Sequence, residues 1–407
     1  FACEPNTIQV NVSNNFSLPA EDLDVRLSIG TYDSTVNVPE ILPYGYALVN
    51  FTGYTPGAAG EVDVVVTLDD GTEVQEHRET ATVYYNGYKG KCWTDGSDLV
   101  TTATYTGRIN VVYSTGDAAY AGNLWTGETI RWTAENLTVP EGATIRSATL
   151  YQGYTWNRME TEPAPQMTFN DVVVLPSERH TDRKGYGAYD YPGGLLVYNV
   201  TDSFRSSGNT LSITAENGAE YAIYGSYLIV VYEHPQESEK TIRVNNGYDI
   251  LQSHPGYCTD DEEATAYAPF EGLKPALTGD ATAVAIVNGR PGEGKSAFLF
   301  NGKEYPGFWP AYEETPDPQV GFSVYNVTDR LTDGVNEAAI RSVRLGASGD
   351  SIQAVGVILI TGSLTPPPLP VANFTAAPTN GLTPLTVQFT DHSTDATSLL
   401  WEFGDDA

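Results

Sequence analysis

The chain is 407 residues long, with 52 acidic residues against 21 basic residues and a formal net charge of −31. So acidic a surface repels nucleic acid and anionic lipid headgroups, and it suits solubility in a salty exterior or the binding of divalent cations. No apolar run is long enough to cross a bilayer, so we expect no membrane insertion in this segment. The many Tyr, Thr, Val, Gly and Asn residues predict an all-β chain.

Residues 1–85 alternate apolar and polar side chains in several short runs. Ile8, Val10 and Val12 form the first of these runs, and turns rich in Asn, Pro and Gly separate it from the next. A period of two with one polar face is typical of an antiparallel β-sandwich. We therefore predict a sandwich domain over 1–85.

Two stretches of this domain carry a family resemblance, NTIQVNVSNNFSLPAEDLDVRLSIG and VNFTGYTPGAAGEVDVVVTLDD. They resemble the adhesion-related, immunoglobulin-like (Ig-like) module common in bacterial and archaeal surface proteins. The first strand of that module would lie before Phe1, so the resemblance implies that the chain begins partway into the domain.

Comparison of the chain with itself reveals a repeat. The segment LLVYNVTDSFRSSGNTLSI at 195–213 recurs as GFSVYNVTDRLTDGVNEAAI at 321–340. Each copy follows a strand ending in Phe-Asn and precedes an apolar strand that begins after a Gly. Three landmarks in one order predict a pair of jelly-roll-like β-sandwiches, which we place at 86–275 and 276–364.

The first of these regions contains the stretches NGYKGKCWTDGSDLVTTATY, ATLYQGYTW, MTFNDVVV, HTDRKGYGAYDYP and EEATAYAPFEGL. In order and spacing they resemble a family of uncharacterised domains found in surface proteins of methanogenic archaea, over most of 86–275. The resemblance implies a location and an architecture, and it brings no activity with it.

The segment TPPPLP predicts a stiff, extended linker at 365–370. The residues that follow resemble the start of the polycystic-kidney-disease (PKD) type β-sandwich, whose mark is a Trp-x-Phe-Gly-Asp turn, here Trp401 to Asp405. The family usually has Gly after this Asp, whereas this chain has Asp406. We place the N-terminal half of a PKD-type domain at 371–407 and expect a longer polypeptide or another chain to supply its remaining strands.

The segment NGRPGEGKSAFLFNG at 288–302 has Gly, Gly, Lys and Ser at the spacing of the phosphate-binding loop of nucleotide hydrolases. Such a loop needs a following helix, whose first N–H groups hold the phosphates. Here Asn301-Gly302 predicts a hairpin turn too soon for a helix, and the aligned first copy lacks Gly-Lys-Ser. We predict a strand, a variable surface turn and a returning strand.

Seven Asn residues stand in the N-glycosylation pattern, which favours a glycosylated exterior protein. They are Asn11, Asn15, Asn50, Asn136, Asn199, Asn326 and Asn373. Asn199 and Asn326 belong to the repeated motif YNVTD, in which the Thr or Asp is a candidate to cap a short helical turn. We favour the capping role for this repeated motif and glycosylation for the other five.

The three cysteines Cys3, Cys92 and Cys258 lie far apart, without the Cys-x-x-Cys spacing of a zinc or redox site. In an exported protein they allow one intrachain disulfide and leave one thiol free or bonded to a neighbouring chain. The alternative is that they are unpaired and buried.

Calcium is the one cofactor that we consider. Asp95, Ser97 and Asp98 in the segment TDGSD have a spacing suited to oxygen ligands around this ion.

Both copies of the repeat carry an aromatic loop between the Phe-Asn strand and YNVTD. Aromatic rings at the rim of a sandwich can plug its open end, form a protein interface or stack on sugars. The candidates are Tyr186, Tyr189, Tyr191, Phe308, Trp309 and Tyr312.

No catalytic motif accompanies His180, the one histidine in a loop with many polar neighbours, so we expect that the chain is not an enzyme. Exposed sandwich edges, an unpaired cysteine and incomplete terminal domains favour self-association into a homopolymer. We expect an extracellular structural subunit of an archaeal S-layer, sheath or filament. The alternative is a surface adhesin or an array of carbohydrate-binding modules.

Overall fold

The structure, a computed structural model, describes residues 1–90, 98–274, 278–289, 292–306, 319–363, 371–394 and 400–402. Its regular elements are almost all β-strands, joined by tight turns and short 3-10 turns. These strands form several separate sheets. The predicted all-β class with tandem β-sandwiches is confirmed.

Residues 1–85 form an Ig-like sandwich. Its strands are β1 (Asn6–Ser13), β2 (Ala20–Ile29), β3 (Tyr32–Ile41), β4 (Tyr46–Tyr54), β5 (Gly60–Asp69) and β6 (Val74–Val83). Strand β1 pairs with β4, and the others form a second sheet in the order β3-β2-β5-β6. Because side chains alternate along each strand, Val25 and Leu27 of β2 share one core with Val49 and Phe51 of β4.

Two larger sandwiches follow, each with its strands in the same order. The first contains β7 (Val100–Ser114), β8 (Gly127–Thr133), β9 (Thr144–Thr155), β10 (Gln166–Phe169), β11 (Val172–Val174), β12 (Glu178–Asp182), β13 (Gly193–Asn199), β14 (Gly208–Thr214) and β15 (Ala222–Glu233). The second contains β16 (Glu239–Leu251), β17 (Thr265–Leu273), β18 (Thr278–Asn288), β19 (Ser296–Phe300), β20 (Lys303–Pro306), β21 (Val320–Asn326), β22 (Gly334–Ser342) and β23 (Ile352–Ser363).

One nine-stranded sheet joins the two sandwiches. Its order is β12-β13-β9-β15-β7-β16-β23-β18-β21, and β7 and β16 pair antiparallel at its centre. The outer sheets are β11-β10-β14-β8 on one sandwich and β17-β22-β19-β20 on the other. Strand by strand, β16 and β17 of the second sandwich correspond to β7 and β8 of the first.

The two halves of the nine-stranded sheet face each other, so the described residues of the two large sandwiches form four β layers with three cores between them. Alternate residues of β15 serve two of these cores: Leu228 and Val230 face the outer sheet, while Tyr227 faces the other half. Phe322 of β21 contacts Tyr227 at 5.6 Å and stacks on Tyr113 of β7 at 4.7 Å between ring centroids. Burial on both faces explains why these strands are nearly continuously apolar.

The sheet topology corrects the boundary that we predict between the two sandwiches. Strands β16 and β17 lie before residue 275, which we expect to end the first sandwich, yet β17 pairs with β22 of the second. Ala266, Ala268 and Phe270 of β17 lie in one core with Phe298 and Phe300. The second sandwich therefore begins at β16, and the repeat covers 239–363 instead of 276–364.

The C-terminal region forms a small hairpin of β24 (Phe374–Ala377) and β25 (Gln388–Asp391). The Trp401 ring packs on Phe374 and Phe389, at 5.4 and 5.6 Å between centroids. The predicted linker at 365–370 and the rest of the Trp-x-Phe-Gly-Asp turn lie outside the described residues. The PKD-type resemblance stays a prediction.

Candidate functional site

The repeated sequence landmarks form the same hydrogen-bond network in both large sandwiches. Asn170, with a left-handed φ of 47°, donates from Nδ2 to the Ser203 carbonyl at 2.7 Å and to Oδ1 of Asn209 at 2.8 Å. Asn301, with a φ of 46°, makes the equivalent bonds to Arg330 and Asn336 at 2.7 and 2.8 Å. These residues close the sandwich loops, so the Phe-Asn landmark is structural.

The repeated YNVTD motif is structural too, but in another way than we predict. The N-caps of the 3-10 turns Thr201–Ser203 and Thr328–Arg330 are Val200 and Val327, and no side chain makes a capping hydrogen bond. The predicted capping by Thr or Asp is therefore wrong.

Instead, the Thr hydroxyl of each copy ties the turn to a neighbouring strand. Thr201 Oγ1 accepts from the Ala148 N–H at 3.0 Å, and Thr328 Oγ1 accepts from the Ala281 N–H at 2.8 Å. The preceding Asn accepts the Thr N–H, at 3.1 Å for Asn199. Such an Asx turn satisfies the backbone without a helix cap.

The Gly-Lys-Ser segment continues into strand β19, as we predict. Lys295 Nζ pairs with Asp350 Oδ1 at 3.0 Å, and the other Asp350 oxygen accepts the Gly292 N–H. Asp350 therefore pairs with the lysine ammonium group that a phosphate would need to bind. The segment is a surface turn stabilised by an ion pair.

The candidate glycosylation residues are exposed. Asn11, Asn15, Asn50, Asn136, Asn199, Asn326 and Asn373 all lie at the surface. Asn136 Oδ1 accepts hydrogen bonds from the backbone N–H and the hydroxyl of Thr133, at 2.8 and 3.0 Å, and a glycan would attach to the other amide atom, Nδ2. Glycosylation itself stays a prediction.

Two of the three cysteines carry exposed free thiols. Cys3 and Cys258 both adopt left-handed conformations, with φ of 61° and 54°. Cys92 lies outside the described residues, so the pairing of the three stays a prediction.

Of the three residues that we predict to bind calcium, the structure describes Asp98. Asp95 and Ser97 lie outside the described residues. Asp98 Oδ1 accepts the Tyr267 N–H at 3.2 Å. Among the described residues, no three His, Cys, Asp or Glu side chains are grouped so that they could hold a metal ion.

Asp98 lies near two buried carboxyl groups, Asp182 and Asp249. Asp182 accepts the Ile250 N–H at 2.9 Å and the Arg183 N–H at 2.7 Å. Neither oxygen of Asp249 has a hydrogen-bond partner among the described residues. Burial, together with the negative charges of Asp182 and Asp98, raises the pKa of Asp249 well above its usual value.

The predicted aromatic residues divide into two environments. Tyr186 packs edge-on against Phe1 of the Ig-like module at 4.7 Å, and its buried hydroxyl has no partner among the described residues. Burial raises the pKa of Tyr186 well above its usual value. Tyr186 therefore serves an internal contact. Phe308, Trp309 and Tyr312 lie outside the described residues.

The second environment is a surface cluster that we call the aromatic platform: Trp156, Tyr189, Tyr191 and Arg158. The Trp156 ring lies 6.0 Å from Tyr189 and 5.5 Å from Tyr191. The Arg158 guanidinium lies 5.7 Å from the Trp156 centroid and 5.3 Å from that of Tyr191, within cation–π range. The sequence predicts the two tyrosines of this cluster but neither Trp156 nor Arg158.

Two residues of the aromatic platform have strained backbones. Trp156 and Tyr189 adopt left-handed φ values of 55° and 62°, which bulky side chains rarely do. Such conformations cost about 1–3 kcal/mol each and concentrate at functional sites. Both side chains are exposed, 44% of Trp156 and 72% of Tyr189.

Two polar residues, Asn157 and Asp190, fix the two loops that carry the aromatic platform. Asn157, 4% exposed, donates to the Thr161 carbonyl at 2.9 Å and accepts the Met159 N–H at 3.0 Å. On the other loop, Asp190 accepts hydrogen bonds from Arg183, the shortest at 2.6 Å, in a bidentate ion pair. Each anchor adjoins a platform residue in the sequence, so both loops are fixed before any ligand arrives.

The Ig-like module contains a cleft of about 520 Å³ between β1 and the β5-β6 side of the facing sheet. Its apolar lining includes Ile8, Val10, Val62, Val64 and Val66. These side chains are half-buried, because the two-stranded sheet covers only part of the four-stranded one.

Tandem β-sandwiches with an adhesion-related module define a surface or adhesion-type β-sandwich protein. The model of CARDB, an adhesion-related Ig-like domain, matches residues 1–86. The model described as "Protein of unknown function (DUF3344)" matches residues 85–361, more than half of the chain. The chain therefore belongs to the DUF3344 family. No curated protein sequence matches it.

Solved structures give distant likenesses. An α-L-rhamnosidase of Streptomyces avermitilis in complex with L-rhamnose is 14% identical, with a TM-score of 0.18, over 86% of this chain and 36% of that one. A β-porphyranase of Bacteroides plebeius is 9% identical, with a TM-score of 0.19, over 72% and 40%. Carbohydrate-binding modules of the β-sandwich superfamily are 11% identical, with a TM-score of 0.14, over 89% and 93%. This chain thus spans well under half of the two enzymes.

These hydrolases contradict our expectation that the chain is not an enzyme. At such low identity and TM-score they assign neither a fold nor a reaction to this chain.

No helix among the described residues is long and apolar enough to cross a membrane.

Proposed function

We propose that this chain is a structural subunit of an extracellular envelope assembly, such as an S-layer, a sheath or a filament of an archaeal cell. The observation that supports it best is the two-stranded sheet β1-β4 of the Ig-like module. Within residues 1–90, which the structure fully describes, β1 and β4 pair only with each other, so one edge of each is open to a further strand, whether from a second copy or from the segment that we expect before Phe1. A free edge presents unpaired N–H and C=O groups that another strand can take up.

The sheet β1-β4 lacks the usual protection of exposed edges. Neither strand contains a single Asp, Glu, Lys or Arg, although 18% of the chain is charged. Charged side chains are one of the devices that keep edge strands from pairing between molecules. Their absence favours pairing.

The cleft beside β1 has the form that an added strand requires. A strand paired to the outer edge of β1 would place alternate side chains over Val62, Val64 and Val66, which are half-buried in the chain alone. Such strand addition combines backbone hydrogen bonds with the burial of alternate side chains.

A strand without charged residues is compatible with a second copy as the partner. Two copies each carrying a net charge of −31 repel each other over most of their surfaces, and a neutral strand avoids this repulsion. Antiparallel pairing of β1 with β1 of a second copy is also self-complementary, as a two-fold contact must be. The two Ig-like sandwiches would then share one continuous sheet.

The test is assembly of the purified chain, followed by sedimentation and electron microscopy. We expect ordered oligomers, arrays or fibres, and a monodisperse monomer under native ionic conditions would contradict the proposal. The variant Thr7→Glu/Gln9→Glu places like charges on the seam, and we expect it to remain monomeric.

The matched control is Ser212→Glu/Thr214→Glu. These two exposed residues lie on β14, which β10 and β8 flank on both sides, so the added charges meet no free edge. We expect this control to assemble like the parent chain. Equal assembly of the two variants would rule out β1 as the seam.

A further inference from the structure

We propose that the aromatic platform of Trp156, Tyr189, Tyr191 and Arg158 binds a pyranose ring of a glycan. This site is separate from the strand edge of the Ig-like module, and binding there does not depend on self-association. The ligand class follows from ring exposure, free hydrogen-bond donors, rigidity and size.

The exposed rings supply the surface on which a sugar stacks. One face of a pyranose presents C–H groups, which carry a small positive charge, and the face of an aromatic ring is negative. Trp156 and Tyr189 present 44% and 72% of their surfaces to solvent. Two outward rings at an angle of 46° offer adjoining faces for consecutive or branched sugar units.

Arg158 supplies donors for the hydroxyl groups at the edge of the sugar. Its guanidinium group has five N–H donors and forms no ion pair with a described residue, in a chain with 52 acidic residues. Its position near Trp156 and Tyr191 places these donors beside the ring faces. Stacking and hydrogen bonding can therefore act on one ligand.

The side chains of the aromatic platform are held in place before binding, which favours a ligand that binds weakly. Asn157 fixes the loop of Trp156 and Arg158, and the Asp190–Arg183 ion pair fixes the loop of Tyr189 and Tyr191. A ligand that binds to prearranged side chains loses little free energy in ordering them.

Size and charge favour a glycan over a protein partner. The three ring centroids lie 5.5 to 6.5 Å apart, the footprint of one or two sugar rings. A stable protein interface needs about 800 Å² on each partner, and this cluster is far smaller. A neutral glycan also escapes the repulsion that a chain of net charge −31 exerts on acidic partners.

The test begins with an array of hexopyranose oligosaccharides, neutral and uronate, probed with the whole chain. Calorimetry and tryptophan fluorescence then measure the affinity for the oligosaccharide that binds best. We expect Trp156→Ala to weaken binding by at least about tenfold, and Trp156→Phe to retain most of it, because Phe keeps a ring.

The control is Tyr84→Ala, which removes a 45% exposed ring outside the aromatic platform and should leave binding unchanged. Far-ultraviolet circular dichroism checks that each variant is folded, and Tyr189→Ala, which removes the other strongly exposed ring of the aromatic platform, provides the test if Trp156→Ala is not. Absence of binding to every hexopyranose at millimolar concentration would overturn the proposal. Unchanged sugar binding by Trp156→Ala would also overturn it. So would the finding that Trp156→Ala loses binding to a protein and not to a sugar. Sedimentation of Trp156→Ala should match that of the parent chain, so a failure here leaves the assembly proposal standing.

Discussion

Nδ2 of Asn170 donates a hydrogen bond to Oδ1 of Asn209 at 2.8 Å, and this bond links the end of one strand to the start of another in the same outer sheet. Asn209 in turn accepts the Arg205 N–H at 2.9 Å. The second sandwich repeats both bonds through Asn336, at 2.8 Å each. Each sandwich thus contains the same hydrogen-bonded pair of Asn side chains, and this pair fixes the geometry of its loops.

Replacement of Asn170 by Ala should destabilise the chain strongly. The change removes hydrogen bonds to Ser203, Asn209 and Thr210 and leaves Ala at a φ of 47°. We expect the free energy of unfolding to fall by about 3 kcal/mol, measured by urea denaturation. Asn170→Gly should cost less, because Gly tolerates this φ. As the control, Asn50→Ala at an exposed strand position should cost under about 1 kcal/mol, and an equal loss in the two Ala variants would count against the network.

Gly153 of β9 lies where the two inner halves of the nine-stranded sheet meet. A Cβ there would lie 2.2 Å from Nδ2 of Asn288, whose side-chain atoms have no hydrogen-bond partner among the described residues. We expect Gly153→Ala to cost about 1–3 kcal/mol of stability from overpacking. Asn288→Ala removes the obstructing amide, so Gly153→Ala should cost under about 1 kcal/mol in that background. Additive losses in this double-mutant cycle would show that the two residues do not meet.

Asp249→Asn should make stability less dependent on pH. The raised pKa of Asp249 means that the folded chain holds a proton that the unfolded chain releases above about pH 4. The stability contribution of this group is complete below that pH and is lost as the pH rises through the folded pKa. We expect the advantage of the Asn variant to grow by up to about 1.4 kcal/mol per pH unit above pH 4.

Thermal unfolding of the Asp249→Asn variant between pH 4 and pH 9 measures this effect. Asp202→Asn, at an exposed position of the first sandwich, controls for the loss of one negative charge from a chain of −31. Parallel pH curves for Asp249→Asn and the parent chain would mean that Asp249 keeps an ordinary pKa.

Lys89 ties the Ig-like module to the following sandwiches. Its ammonium group, 10% exposed, contacts Glu4 and lies 2.7 Å from Oε1 of Glu263. Lys89→Met should leave two partly buried carboxylates without their cation and loosen the junction. We expect limited proteolysis near residue 90 to become at least about threefold faster, while Lys303→Met, whose nearest carboxylate oxygen is 4.0 Å away, should change nothing.

Much of the fold follows from the sequence because its landmarks are chemically demanding. Asn170 and Asn301 need a left-handed backbone and an amide, and Thr201 and Thr328 need a hydroxyl, so both copies retain them. Strands β16 and β17 have no such requirement. Their side chains need only to alternate, so β7 and β16 share no readable sequence, and the boundary is misplaced for that reason.

The aromatic platform could be predicted only in part. Tyr189 and Tyr191 lie in a loop where aromatic residues cluster in the sequence, but Trp156 and Arg158 lie beyond the end of β9, 33 and 31 residues before Tyr189. Their proximity depends on pairing between β9 and β13, which brings Tyr154 opposite Gly194. Neither the long-range pairing nor the left-handed φ of Trp156 can be read from composition.

The antiparallel pairing of β7 with β16 has the geometry of a symmetric dimer interface within a single polypeptide. A true dimer of sandwiches would separate on dilution, whereas this tethered pair stays together at any concentration. Two identical subunits must also carry identical loops, but two halves of one chain can diverge. The loops of one half can therefore change independently of those of the other, at no cost to the shared seam.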